Sequence, residues 1–466
     1  MDHRIEHDTL GEVRVPAAAY YGAQTARAVE NFPVSGLRAD PHLLRAYFLI
    51  KKAAATTLGE SGALPRETAR AIVQACDEAL GGAFAGEFPV DVYQAGAGTS
   101  LHMNVNEVLA NRAEEILGGA RGVYDRVHPN DHVNRGQSTN DTFPTAMRLA
   151  ILLRLPALES AVAEVAAAFE ERATANERRL KAGRTHLQDA VPVTLGQEFA
   201  AYAAALRRSG RLLAEAAAEL CELPLGGTAT GTGLNAPPGY RERAVALLAD
   251  WTSLPLTPIA DLREGMQSQQ PIGAFSAALR GLALELVRIA NDLRLLASGP
   301  ATGLGEIVLP PVQPGSSIMP GKVNPVMAEC LDMVAFQVIG NDTTVSLAVQ
   351  AGQLELNVMM PVMIHNVLFS MEILTRYLPA FARRCVAGIV ADDARCDWWL
   401  ERDPAIVTAL NPVIGYERAA AIVRESAATG RSVREILKRD AILPDEEIER
   451  LLSPEILAWP EGRPTK

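Results

Sequence analysis

Residues 145–182 read "TAMRLAILLRLPALESAVAEVAAAFEERATANERRLKA", with apolar side chains recurring at steps of three and four almost throughout. That period lays one stripe of a helix against a core. It predicts a single helix far longer than the roughly 10–14 residues usual in globular proteins. Similar patterns occupy residues 196–222, 270–298 and 324–350. Long helices with short connections pack as a bundle, and their many alanines let backbones approach closely. The expectation is an all-α chain of three domains. A mixed, mainly helical domain covers 1–140, the long-helix bundle 141–393, and a small helical domain 394–466, where Ser432 and Pro444-Asp445-Glu446-Glu447 read as helix starts. A bundle this apolar is also expected to bury helix faces against other subunits.

Composition agrees. The chain has 466 residues, 48% of them hydrophobic and only 5% aromatic, and a mean hydropathy of +0.06, values of an Ala/Leu-rich globular protein with room for more than one core. A net charge of −11 argues against nucleic acid, which needs a basic face. The opening "MDHRIEHDTLGEVRVP" lacks an apolar signal core, and no run approaches the roughly 18 apolar residues of a membrane span. The reading is a cytoplasmic protein. Cys76, Cys221, Cys330, Cys385 and Cys396 are odd in number and include no CxxC, so buried free thiols are expected rather than disulfides or zinc.

Four polar stretches interrupt the helical texture: "AGAGTSLHMNVNE" (95–107), "HPNDHVNRGQSTND" (128–141), "GRTHLQDAVPVTLGQE" (183–198) and "GSSIMPGKVNPVMAE" (315–329). Each is expected at a helix boundary, where N–H groups and the macrodipole favour anions. Taken singly, such runs are N-caps. Together they offer more than capping requires, because "QSTND" carries three consecutive small polar groups and Thr185-His186 follows Arg184. Other motifs are weaker. "GGTATGTG" (226–233) has no strand before it and no acidic partner after it, so it is not read as a dinucleotide loop. His128 and His132 stand four apart, but Pro129 and Asn130 favour a turn over a helical metal site. His365, in an apolar helix, reads as a core histidine, and His3, His7 and His42 carry no signal.

Hydroxyls, amides and one ammonium suit a dicarboxylate that loses a proton beside a carboxylate. That carbon acid is very weak, and its dianionic aci-carboxylate needs preorganised donors. A serine can take the proton if neighbouring N–H groups or a cation stabilise its alkoxide, which a glycine-flanked loop holding Ser316, Ser317 and Lys322 could provide. The glycines and prolines also suit a loop that closes.

The loop Gly315 to Pro325 matches GSSxMPxKxNP, and the chain resembles the fumarase/aspartase superfamily over its whole length. "YYGAQTARAVENFP", "GAGTS", "NEVLANRA", "QSTNDTFPT", "GTGLN", "IANDLRLLASGP", "AGQLELNV" and "TALNPVIGYERAA" carry the likeness. The resemblance implies a homotetramer whose long helices form a central bundle, with each site drawn from three chains, a small dicarboxylate substrate, and no cofactor or metal. It implies Ser316 as general base. Lys322, Asn324, Thr185 and His186 would hold the α-carboxylate. Thr99, Ser138, Thr139 and Ser317 would surround the β-carboxylate, Asn140 and His186 would approach the leaving group, and Glu329 would pair with His186.

Within the superfamily, Thr99-Ser100, Ser138-Thr139-Asn140 and Asn324-Pro325-Val326 side with the aspartases rather than the fumarases, which implies loss of ammonia from aspartate. Dehydration of malate, or cleavage of an N-substituted aspartate, are the alternatives. A silent structural role, as in lens relatives, conflicts with the intact Ser316, His186, Lys322 and Asn324. A lyase of bulkier succinyl adducts would be expected to carry more basic residues. His102 stands where both groups usually carry Asn, and Met360 where aspartases usually carry Glu, in a segment ending "IHN" as fumarases do. These two positions are the candidates for specificity.

Overall fold

The computed structural model describes residues 2–459 and 461. Strands β1 (His3–Asp8) and β2 (Gly11–Pro16) pair as an antiparallel hairpin. Helices α1 (Ala23–Asn31), α2 (Pro41–Glu60), α3 (Arg66–Leu80) and α4 (Thr99–Ile116) follow. The predicted long helix is α5 (Thr139–Ala175), 37 residues. It ends before residue 182 because the chain leaves it to form β3 (Leu180–Thr185), paired with β4 (Gln188–Thr194). The helical reading of residues 176–182 is thereby corrected. Leu180, Lys181, Ala182 and Gly183 are buried in succession, and a Cβ on Gly183 would lie 2.2 Å from the Val191 carbonyl oxygen across the hairpin. The next helices are α6 (Leu195–Ala218), α7 (Tyr240–Thr252), α8 (Leu262–Gln267), α9 (Gln270–Leu296), α10 (Val326–Gln350) and α11 (Met360–Arg384). Four helices, α5, α6, α9 and α10, match the expected long patterns to within a few residues at most ends. The protein is all-α apart from short two-stranded pairings.

Two compact units result. The first comprises Met1–Glu159, Arg211–Gly281 and Gln337–Ile373. Its core is built from Tyr47, Ile50 and Leu58 of α2, Ile72 and Cys76 of α3, Val105 and Leu109 of α4, and Met147 and Ile151 of α5. The second comprises Ser160–Gly210, Leu282–Phe336 and Leu374–Lys466. Phe169 of α5 meets Phe199 and Tyr202 of α6 there, with ring centroids 6.1 and 5.5 Å apart, beside Leu286, Ile289, Leu378 and Phe381. Helices Tyr416–Thr429, Val433–Arg439 and Asp445–Leu451 close a separate apolar cluster around Ile422, Ile436, Leu437 and Ile448. Ser432 starts one of them in a capping box with Glu435. All five cysteines are free thiols, with Cys76, Cys385 and Cys396 buried and Cys221 and Cys330 half-buried. No described helix is long and apolar enough to cross a membrane.

Candidate active site

In the first unit, packing joins the starts of α4 and α5. Gly98, in the left-handed region at φ 91°, lies so close to Phe143 that a Cβ there would fall 1.9 Å from the ring. Only glycine permits that approach. The result sets Thr99 Oγ1 3.1 Å from Thr139 Oγ1 and 2.6 Å from the Gly96 carbonyl oxygen. His102, one turn along α4, points back to the same place, with Nδ1 2.7 Å from Thr139 Oγ1. Ser138 caps α5: its Oγ accepts from Asn140 N–H at 3.2 Å while its own N–H donates to Asp141 Oδ1 at 2.9 Å. The other oxygen of Asp141 accepts from Gly226 and Thr228 N–H, and the Asn140 amide donates to the Ala229 carbonyl. The glycine-rich 226–233 stretch is therefore a brace for the start of α5. Burial outweighs these donors and pushes the Asp141 carboxyl up to about 6.

Behind the threonines lies a lysine. Lys51 Nζ sits 2.6 Å from His102 Nε2 and donates to Asn134 Oδ1 at 3.1 Å and Gln137 Oε1 at 2.9 Å. Burial holds Lys51 down at about 7 and the His102 imidazole well below its ordinary range, where Lys51 also repels its proton. The His102 ring lies nearly parallel to Tyr47, centroids 5.5 Å apart.

In the second unit, Thr185 and His186 stand at the tip of the β3–β4 hairpin rather than at the helix boundary expected. The turn consists of His186 and Leu187, with φ 56° and 57°, the left-handed pair that ordinarily selects Asn-Gly. Two bulky side chains held there mark stored strain at an exposed tip. The hairpin is anchored at its base. Glu306, fully buried, accepts from Arg184 at 3.0 Å through both oxygens and lies 3.5 Å from Lys181 Nζ.

The loop preceding α10 closes on itself. Gly315 N–H donates to the Lys322 carbonyl at 2.9 Å, and the Asn324 amide donates to the Gly315 carbonyl at 2.7 Å. A Cβ on Gly315 would meet the Lys322 oxygen at 2.4 Å, so the neck of the loop requires glycine. Inside it, Ser316 Oγ accepts from Ile318 N–H at 3.2 Å and Met319 N–H at 3.0 Å. Ser317 and Lys322 are exposed, and Ile318 leaves 84% of its surface in solvent. Among the described residues, no hydrogen bond or ion pair joins Ser316, Lys322 or Glu329 to Thr185 or His186 of the same chain.

Residues 11–340 match the Lyase family and residues 406–458 the Fumarase C C-terminus family. The chain belongs to the fumarase/aspartase superfamily of lyases. It is 46% identical to the aspartate ammonia-lyase of Bacillus subtilis (strain 168), over 97% of this chain and 95% of that one. It is equally 46% identical to the fumarate hydratase class II of Pseudomonas putida KT2440, over 99% of both. A solved structure of a fumarate lyase:delta crystallin from Brucella melitensis bound to cobalt superposes with a TM-score of 0.96 at 48% identity, covering 98% of this chain and all of that one.

The superfamily motifs thus fall into three local groups: Thr99, Ser138, Thr139, Asn140 and His102; Thr185 and His186; Ser316, Ser317, Lys322 and Asn324. Ser100 departs from its neighbour Thr99 and lines a cleft of about 740 Å³ with Gln24, Tyr124, His128 and Asn130. Met360 is fully buried at the first position of α11. Glu329 lies half-buried in the first turn of α10. Residues Pro129–Val133 form a short π-helix rather than the expected turn, with His128 as its N-cap, and both histidines are engaged locally: His128 Nδ1 accepts from Asn130 and Asp131 N–H, and His132 Nδ1 from His128 N–H. No group of three or more His, Cys, Asp or Glu among the described residues is arranged to hold a metal. His365 is half-buried between Tyr93 and Phe369. Sequence reasoning missed Lys51, Asp141 and Glu306. For Lys51 a signal existed, since it stands four residues after Tyr47 and three before Ala54 on the buried stripe of α2.

Proposed function

We propose that this lyase removes ammonia from L-aspartate to give fumarate, reversibly. The observation that carries the reading is the Ser316 hydroxyl, whose oxygen already accepts two backbone N–H groups. Charge on that oxygen is what such donors stabilise most, so Ser316 as alkoxide takes the Cβ proton. The electron pair passes into the β-carboxylate as an aci-carboxylate, and the Cα–N bond then breaks. Thr99, Ser138, Thr139 and Ser317 surround the β-carboxylate. Lys322, Asn324, Thr185 and His186 hold the α-carboxylate. Asn140 and His186 attend the departing amine, and Glu329 sets the charge of His186. The three groups complete one another between chains of a homotetramer in the cytoplasm, a reading supported by the exposure of Thr99, Thr185, His186 and Lys322 in the single chain. The three-domain division at 141 and 394 belongs to the same proposal.

Equal identity to an aspartate ammonia-lyase and a fumarate hydratase leaves the choice to particular residues. Thr99-Ser100, Ser138-Thr139-Asn140 and Asn324-Pro325-Val326 favour the amine. Met360 and the "IHN" at 364–366 favour the second reading, hydration of fumarate to malate. Purified protein mixed separately with aspartate, malate and N-substituted aspartates, with fumarate followed by ultraviolet absorbance, decides between them. Aspartate is expected to be turned over fastest. Ser316→Ala is expected to lose about 10²–10⁴-fold in kcat, the scale of a lost general base, with assembly unchanged. A variant retaining most of its turnover would remove Ser316 from that role.

A further inference from the structure

We infer that Lys51 is a positioning residue that acts through His102 to fix the direction in which the Thr139 hydroxyl gives its proton. Lys51 as an ammonium has three donors and no lone pair. Its three acceptors are His102 Nε2, Asn134 Oδ1 and Gln137 Oε1, at 2.6, 3.1 and 2.9 Å. Nε2 facing an ammonium must accept, so the imidazole proton resides on Nδ1, which faces Thr139 Oγ1 at 2.7 Å. The ring therefore donates into Thr139 and occupies one of its lone pairs. The single Thr99 proton goes to the Gly96 carbonyl at 2.6 Å, so the Thr139 proton is left to point away from His102, toward Thr99 Oγ1 at 3.1 Å, or toward an anion that takes the place of this longer contact. A hydroxyl that accepts one hydrogen bond donates the next more strongly. The chain from ammonium to imidazole to hydroxyl thus delivers a preorganised donor.

The arrangement is buried. Lys51, His102 and Thr139 are at most 7% exposed, and Tyr47 covers the ring. The ionisable groups around Lys51 are Tyr47 on its own helix, Cys76 on α3, His102 on α4 and Asp141 on α5, of which Asp141 favours the ammonium and desolvation opposes it. With Lys51 held at about 7, the lock on the imidazole tightens as pH falls below that value and relaxes as pH rises through it, since a neutral amine accepts as well as donates.

The inference rests on the proposal that a carboxylate of the substrate meets Thr139, and its test separates the two. In full-length protein labelled with ¹⁵N-histidine, long-range ¹⁵N–¹H spectra report the His102 tautomer, with His102→Gln identifying the signals. A neutral ring protonated on Nδ1 is expected near pH 6, with its Nε2 shift moving as pH passes through about 7. In Lys51→Met the proton is expected to redistribute toward Nε2. Turnover is then compared in two backgrounds. Lys51→Met is expected to lower kcat about tenfold, with KM within about twofold, but to change kcat less than twofold when Thr139 is already Val. A ring protonated on Nε2 in the wild type at pH 6 would overturn the inference, as would equal losses in both backgrounds. If Lys51→Met fails to fold, the wild-type spectra alone decide the lysine–histidine step. If neither aspartate nor malate yields fumarate, the proposed substrate falls while the tautomer result still stands or fails by itself.

Discussion

At the scale of single residues, the chemistry depends on how closely backbones are allowed to approach. Gly315 and Gly98 each occupy a place where a methyl group would collide, one with the Lys322 carbonyl and the other with Phe143. Gly98 also adopts φ 91°, which costs an L-residue roughly 1–2 kcal/mol. Gly98→Ala is therefore expected to lower stability by about 2–4 kcal/mol, from backbone strain plus overpacking, and to lower kcat by separating Thr99 from Thr139. Phe143→Leu in the same chain should return part of the stability by making room. The melting temperatures of the single and double variants measure this, and an additive double variant would mean that Phe143 is not what excludes the methyl. The serine loop was legible because its Gly, Ser and Pro break an Ala/Leu texture. Lys51 left only its register on the buried stripe of α2 as a signal, and a lysine in an amphipathic helix otherwise reads as a solvated side chain. Its burial depends on Asn134, Gln137 and His102, brought in from other elements.

At the scale of elements, the four long helices were readable from their period, which persists over enough turns to outweigh local exceptions such as Pro144 and Pro156 inside α5. The β3–β4 hairpin was not readable, since Leu180-Lys181-Ala182 continues the preceding helical pattern only if Lys181 is counted as a polar position. Lys181 is in fact buried, 3.2 Å from Glu198 and 3.5 Å from Glu306, the second of them more than a hundred positions away. Glu306 carries the arrangement. It pairs with Arg184 and, together with Glu198, with Lys181 at the base of the hairpin whose tip presents Thr185 and His186. Removing one partner of a buried ion cluster leaves charge uncompensated and costs about 3–5 kcal/mol. Glu306→Leu is expected to destabilise on that scale in denaturant unfolding. Arg184→Met, which leaves the Lys181–Glu306 pair in place, is expected to destabilise less but to raise KM by loosening the hairpin. If Arg184→Met left KM unchanged, the cluster would serve stability alone.

At the scale of the whole molecule, the outward face of α10 is the unusual surface. Its exposed positions from Met333 to Gln350 are Met333, Phe336, Gln337, Gly340, Thr343, Ser346, Leu347 and Gln350, and none is charged. Asp342, the charged residue within that span, and Asp332, just before it, are buried. A helix facing water would place its charges outward. Phe336 and Leu347, 56% and 59% exposed, stand eleven residues apart, about three turns, and so share one side. Under the proposed shared-site function, such a face would meet another copy of the chain. Any closed symmetry would repeat a change there in every subunit. A chain of 49.9 kDa is expected to sediment as a tetramer of about 200 kDa. Phe336→Asp buries a carboxylate in each copy, a cost of several kcal/mol per ion, and should shift the mass toward dimer or monomer while the helical circular dichroism persists. Turnover should fall with the mass, because groups on separate chains no longer meet. An active 50 kDa species, in wild type or variant, would show that one chain suffices for the reaction and would dismantle the shared-site reading.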